Sequence, residues 1–386
     1  MNNNIYFDNA ATTQTDQRVI DVMLPYFNHI YGNPSSLHSF GTLAKETIEK
    51  ARTEIATTIG ANANEIYFTS GGTESNNFAL KGIAFGNLRK GNHIIVSAIE
   101  HDCVLNTCKW LEEQGFFVTY IPVDRYGLVD LEILEKAINS KTILVSIMHA
   151  NNEIGTIEPV NEVGMICHKA GVYFHSDACQ SFGKIPIDVN TSNIDLLTIN
   201  SHKIYGPKGI GALYIRKGTN IAPLLHGGGQ ESGIRSSTEN IPGIVGFAKA
   251  ASICYQNMNQ ENARLLLLQN SLKDFLFEHF DNVYINGHNI NRLPGHLNFS
   301  FHGLEGETIR LLFLLDEMGI AVSAGSACSS NYGNPASHVL QAIGLNPFEA
   351  RGAIRLSLGR FNTDDEVTLF KQAITKTINV LNPIFS

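Results

Sequence analysis

Two residues of this chain could hold an aldehyde-bearing pyridine ring between them. Lys203 lies in Asn200-Ser201-His202-Lys203-Ile204-Tyr205-Gly206-Pro207-Lys208-Gly209, a polar, glycine-rich turn between two apolar stretches. Asp177 lies upstream in Tyr173-Phe174-His175-Ser176-Asp177-Ala178-Cys179-Gln180, at the end of another strand-like stretch. An amine condenses with an aldehyde to give a Schiff base. A carboxylate beside the ring nitrogen keeps that nitrogen protonated, so the ring can act as an electron sink. Either residue alone reads equally as a surface lysine or a strand-end cap, and the other motifs must decide.

Thr69-Ser70-Gly71-Gly72-Thr73-Glu74-Ser75-Asn76-Asn77 is a glycine turn between a strand and a helix start. Exposed backbone N–H groups of Gly72 and Thr73, with a hydroxyl, make an anion cradle there. A helix terminus contributes only ~0.3–2 kcal/mol, so a phosphate needs further donors; Asn200, His202 and Thr238 are the candidates. The turn is not a Walker loop, because no Gly-Lys-Ser/Thr follows. His101, in Ser97-Ala98-Ile99-Glu100-His101, offers a flat titratable ring that could stack on a pyridine and move protons near neutral pH. Asn152 and Gln180 could donate to a ring oxygen. Arg355, inside the apolar stretch Ala353 to Leu358, requires a carboxylate or phosphate partner. That partner is either the α-carboxylate of an amino acid or an internal acid. Residues 321–335 are small and polar with no packing periodicity, and they carry Cys328, a thiol set apart from the other five cysteines as a nucleophile.

Positioning these groups needs a scaffold. Strand signals at 65–70, 93–98, 116–122, 142–148, 172–175, 194–199 and 211–215 alternate in the middle of the chain with helix signals at 73–88, 104–114, 131–138 and 160–170, Asp130 serving as an N-cap. Such alternation predicts an α/β fold with a mostly parallel sheet covered on both faces, and ligands bound beyond the carboxyl ends of its strands. Thr73, His101, Asn152, Asp177 and Lys203 all follow predicted strands. A helix over 261–280, short strands, and a helix over 368–382 predict a smaller α+β C-terminal domain. The division expected is an N-terminal segment, 1–15, packing with the small domain; a large domain, 16–260; and a small domain, 261–386, carrying the cysteine loop.

The net charge of −8 argues against nucleic acid as the main ligand, and no apolar run approaches a membrane span. The N-terminus has no signal-peptide pattern. The six cysteines contain no CxxC pair, which disfavours a structural zinc site and predicts no metal. These features point to a cytoplasmic enzyme.

Together the segments resemble the pyridoxal-phosphate enzymes of the aspartate-aminotransferase fold, specifically the cysteine desulfurases of the NifS/IscS type. The resemblance begins at Tyr6-Phe7-Asp8-Asn9-Ala10-Ala11-Thr12-Thr13 and Gly32-Asn33-Pro34-Ser35-Ser36 and passes through Gly72-Thr73-Glu74-Ser75-Asn76, Glu100-His101, Asn151-Asn152-Glu153-Ile154-Gly155 and the lysine turn. It ends with His226-Gly227-Gly228-Gly229-Gln230-Glu231, the cysteine loop and Ser357-Leu358-Gly359-Arg360. It implies a homodimer binding pyridoxal 5'-phosphate, with Lys203 as the Schiff-base lysine, Asp177 at the pyridinium and His101 stacked on the ring. Gly72, Thr73 and His202 would hold the phosphate, with Thr238 reaching in from the other subunit. Asn152 and Gln180 would face the ring oxygen, Arg355 the substrate carboxylate, and Cys328, on a long and mobile loop, would accept the sulfur. Asn200 stands where the family usually has serine, Ser232 replaces an arginine, and Ser237 stands where glycine is common.

The activity implied is conversion of L-cysteine to L-alanine. It leaves a persulfide on Cys328 for acceptor proteins of iron–sulfur cluster assembly or tRNA thiolation. A selenocysteine lyase or an aminotransferase on the same fold is the alternative, and it would make Cys328 dispensable.

Overall fold

The protein is represented by a computed structural model that describes residues 4–324 and 336–381. Thirteen strands are present among these residues: β1 (Ile5–Tyr6), β2 (Ile66–Thr69), β3 (His93–Ser97), β4 (Phe117–Ile121), β5 (Thr142–Ser146), β6 (Tyr173–Asp177), β7 (Leu196–Asn200), β8 (Gly211–Ile215), β9 (Val283–Ile285), β10 (His296–Phe301), β11 (Ile320–Ala321), β12 (Ser323–Ala324) and β13 (Ile354–Ser357).

The expected mostly parallel sheet is present. Seven strands lie in the order β2-β8-β7-β6-β5-β3-β4, and only β8 runs against the others. Its central strands are apolar on both faces because both faces are covered. Side chains alternate between two cores, as the two-residue period of a strand requires. Ile94, Val96, Leu144 and Leu196 pack beneath the helices Gly72–Gly86 and Asp102–Glu113. Ile95, Val145, Phe174 and Leu197 pack on the other face against the helices Ser39–Thr57, Val160–Ala170 and the start of Ile241–His279. The helix Leu131–Ala137 begins at Asp130, whose side chain accepts from Glu132 N and Ile133 N.

A second sheet, β12-β13-β10-β9, is antiparallel and has its own core of Phe299, Leu356, Phe370 and Leu272. Phe7 is buried in that core, and β1 pairs with β11. The helix expected over 261–280 is the second half of a single helix, Ile241–His279. Its first half places Ile244 and Phe247 in the core of the large sheet, and its second half places Leu268 and Leu272 in the core of the small one. We propose that the domain division near residue 260 falls inside this helix, where one core hands over to the other. No helix among the described residues is long and apolar enough to cross a membrane.

Candidate active site

Parallel strands deliver their carboxyl ends to one edge of the sheet, and the loops leaving β2, β3, β5, β6 and β7 meet there around a cavity of about 190 Å³. Gly72, Thr73, His101, Asn152, Asp177, Gln180, Asn200, His202 and Lys203, nine of the residues singled out by sequence, line this one space.

The floor is set by Asp177 at the end of β6. Its Oδ1 accepts from Cys179 N at 2.8 Å and its Oδ2 from Asn76 Nδ2 at 2.6 Å. Lys203 follows β7 in a tight turn in which Tyr205 takes a left-handed conformation, φ +66°. The N-terminal segment anchors that turn. Thr13 N and Oγ1 both donate to His202 O, and Thr13 Oγ1 in turn accepts from Tyr205 N at 2.8 Å. Thr12 Oγ1 lies 3.1 Å from His202 Nδ1. The role of Ala10 to Thr13 was not legible in sequence, because it arises from contacts made across nearly two hundred residues.

The cradle begins at Gly71, whose φ of +151° is one that residues with a side chain rarely adopt. The space beside Gly71 is open, whereas Gly72 is packed too tightly for a side chain. A Cβ on Gly72 would lie 2.6 Å from Cys179 Sγ and 3.5 Å from Asn200 Nδ2. Asn200 thus sets an amide beside the first turn of Gly72–Gly86, and its buried Oδ1 has no partner among the described residues. Burial, reinforced by Lys203, pushes His202 down to about 4, so the ring is neutral at physiological pH.

His101 caps the helix Asp102–Glu113, its Nδ1 accepting from Cys103 N at 3.1 Å. Burial first, then the charge of Lys203, holds this ring below the usual histidine range. Beside it, Glu100 is fully buried and its carboxyl is pushed well up by that burial; Oε1 accepts from Met148 N at 2.6 Å and ties the loop after β5 to the loop after β3. Gln180 Nε2 donates to Ala10 O at 2.9 Å, so this amide anchors the N-terminal segment as well as lining the cavity.

Two expected residues stand apart from this lining, and a third lies outside the described residues. Arg355, in β13, is 2% exposed and reaches the cavity only through Asn152, whose carbonyl accepts from Nη1 at 3.1 Å. Its Nη2 is paired with Asp8 at 2.7 Å and its Nε has no partner among the described residues. The internal acid is therefore present, alongside donor capacity still open. Thr238 is exposed and does not line the cavity of its own chain. Cys328 lies outside the described residues; the chain before it ends with Ala324 paired to Ile354, next to Arg355. Ser232 is exposed with φ +58°, and its neighbour Glu231 is buried on Arg52. Asn76, Cys103 and Met148 also line the cavity, and sequence reasoning gave none of them a role.

The donor set suits a phosphorylated pyridine aldehyde: a glycine cradle too tight for a Cβ, neutral donors around it, an amine, and a carboxylate carrying two hydrogen bonds. The aminotransferase class-V family model matches residues 5–370. The chain is 50% identical over 380 residues to a cysteine desulfurase IscS of Methanosarcina thermophila, covering 98% of this chain and 93% of that protein. Among solved structures, a NifS-like protein superposes with a TM-score of 0.91 at 41% identity, covering 98% of this chain and all (100%) of that one. SspA in complex with cysteine superposes with a TM-score of 0.82 at 40% identity, covering 93% of this chain and 100% of that one.

Proposed function

The chain belongs to the aminotransferase class-V family, as one of its cysteine desulfurases, and from that premise we propose how its own residues divide the work. The single observation that carries the reading is the convergence of Lys203, Asp177, His101 and the Gly72 cradle on one cavity.

Pyridoxal phosphate, when bound, supplies a carbonyl for the substrate amine and a ring that draws off the charge left at the α-carbon. Lys203 Nζ would hold it and would take the α-proton of L-cysteine. Asp177, fixed by Asn76 and Cys179, holds the ring nitrogen. Gly72, Thr73, Asn200 and His202 hold the phosphate, and Thr238 joins them from the second subunit. Asn152 and Gln180 face the ring oxygen. Arg355 takes the substrate carboxylate with the donor capacity that Asp8 leaves open. His101, from the cavity wall, would lie against the ring and present its Nε2–H to the substrate thiol.

The Cys328 thiolate attacks the substrate sulfur. An S–S bond forms as the substrate C–S bond breaks, and the electron pair left on carbon is protonated to give L-alanine. The persulfide then passes to an acceptor protein of iron–sulfur cluster assembly or tRNA thiolation in the cytoplasm. A homodimer is supported by Leu24, Phe27, Tyr31, Leu37 and Phe40, large apolar residues exposed close together in sequence on the single chain. Sedimentation of the purified protein tests this, and a monomer would remove Thr238 from the site.

The decisive experiment incubates purified protein with L-cysteine and a reductant and measures alanine, sulfide and a persulfide on the Cys328 peptide. Cys328→Ala should retain cofactor absorbance and form no sulfide. Full activity in that variant would instead favour the lyase or aminotransferase chemistry.

A further inference from the structure

A hydrogen-bond chain runs from Asp177 to His101, both in the cavity wall. Asn76 Nδ2 donates to Asp177 Oδ2 at 2.6 Å and also approaches Cys103 Sγ at 3.1 Å. Cys103 Sγ lies 3.1 Å from His101 Nδ1. The directions of these bonds are forced. An amide nitrogen only donates, so the sulfur accepts from Asn76; Nδ1 accepts from Cys103 N and has no proton to give the sulfur, so the thiol proton points at His101. Cys103 N also donates to the same Nδ1. A ring nitrogen that faces two donors carries no proton, and in the neutral ring the proton then sits on Nε2.

We propose that Cys103, oriented by Asn76, is a positioning residue that fixes His101 as the neutral Nε2–H tautomer. The inference rests on the reading in which His101 serves the substrate from Nε2. It adds the reason that this nitrogen, and not the other, presents the proton. Three further observations support it. Asn76 is fully buried and lines the cavity, with its Oδ1 unpartnered among the described residues. The thiol cannot easily become a thiolate, since burial and the nearby Asp177 push it up to about 12, so it stays a donor. Four further groups act on the ring: Lys203 from the turn after β7, Asp177 from β6, Asp102 on its own helix and His338 from His338–Ala342. Lys203 and His338 oppose a positive charge on the imidazole, whereas Asp177 and Asp102 favour one. None of the four is hydrogen-bonded to Nδ1, so the local donors decide which nitrogen carries the proton.

The test uses full-length purified protein labelled with 15N in its histidine rings, the His101 signals being identified by their loss in His101→Gln. Long-range proton–nitrogen spectra should show a bare Nδ1 and a protonated Nε2 in the wild type and in Cys103→Ser, which keeps an O–H donor. In Cys103→Ala one donor to the bare nitrogen is gone. The Cys103 N–H remains, so the preference for Nε2–H should weaken rather than vanish: a minor Nδ1–H population should appear, and the titration midpoint should rise by about half to one pH unit. The acid limb of the pH profile of alanine formation should move up with it. Spectra and midpoint unchanged in Cys103→Ala, or an Nδ1–H ring in the wild type, would overturn the proposal. Absence of alanine formation by the wild type would defeat the functional reading instead and leave the tautomer result standing.

Discussion

Arg355 Nη2 donates to Asp8 Oδ1 at 2.7 Å, joining a residue near the start of the chain to one near its end. The pair lies where β13 meets the N-terminal segment: Ser357 N donates to Phe7 O at 2.7 Å and Asn9 N to Ser357 O at 3.2 Å. Asp8 satisfies one end of the guanidinium, a backbone carbonyl a second, and Nε remains open.

Arg355→Lys keeps a cation for Asp8 and removes the planar fork that can grip a carboxylate at two points. Loss of a charge-assisted hydrogen bond is worth about 1.5–3 kcal/mol. Steady-state kinetics should therefore show KM for L-cysteine raised about tenfold or more, with kcat changed far less and cofactor absorbance intact. An unchanged KM would leave Arg355 a purely internal ion pair.

Gly72→Ala should weaken cofactor retention, because the new Cβ would meet Cys179 Sγ at 2.6 Å. Cys179→Ala removes the obstructing sulfur. Fluorescence titration with pyridoxal phosphate should find Gly72→Ala the weaker binder and Gly72→Ala/Cys179→Ala partly restored. No restoration would mean that the glycine is needed for the approach of the phosphate rather than for packing against β6.

The loop after His226 is held by a buried acid. Glu231 Oε1 and Oε2 each accept from Arg52 at 2.8 Å, and Oε2 also accepts from Phe68 N at 2.9 Å. Removing one partner strands the other charge, at a cost of about 3–5 kcal/mol. Arg52→Met should lower Tm by several degrees in calorimetry, and Arg52→Met/Glu231→Gln should lower it less. A double variant that loses as much as Arg52→Met or more would show that a stranded Glu231 charge is not the source of the loss.

Away from the active site, Glu158 is buried with Oε2 accepting from Val129 N at 3.0 Å and Oε1 without a partner among the described residues. Burial pushes its carboxyl from the ordinary 4.5 up to about 8. Between those values the folded protein holds a proton that the unfolded chain has released, so this residue makes stability fall as pH rises from about 4.5 to about 8. Glu158→Gln keeps an acceptor for Val129 N and has no proton to lose. Its Tm should match the wild type near pH 5 and exceed it increasingly toward pH 8. A constant difference across that range would show that Glu158 does not titrate in this way.

Much of this molecule could be read before its structure. The strands and helices of the large sheet declare themselves because the two-residue and 3.6-residue apolar periods are local properties of the chain. The helix at Val160–Ala170, for example, coincides with its predicted range. Chemistry announced itself in the same way at Lys203, Asp177, His101 and the Gly72 turn, where polar or glycine-rich residues interrupt apolar strands. The one-turn shift of the final helix, which begins at Asp364 rather than 368, reflects a first turn of acidic residues that carry no apolar signal.

Other features belong to the tertiary structure alone. The antiparallel β8 cannot be told from a parallel strand by its residues, since both are apolar throughout. The helix Ile241–His279 serves two cores in turn, so its apolar face changes partner midway and its full length is hidden from any single periodicity. Asn76 and Cys103 look ordinary in sequence. They become part of the site only because helices following two different strands set an amide and a thiol between Asp177 and His101, and hydrogen bonding depends on distances that folding alone supplies.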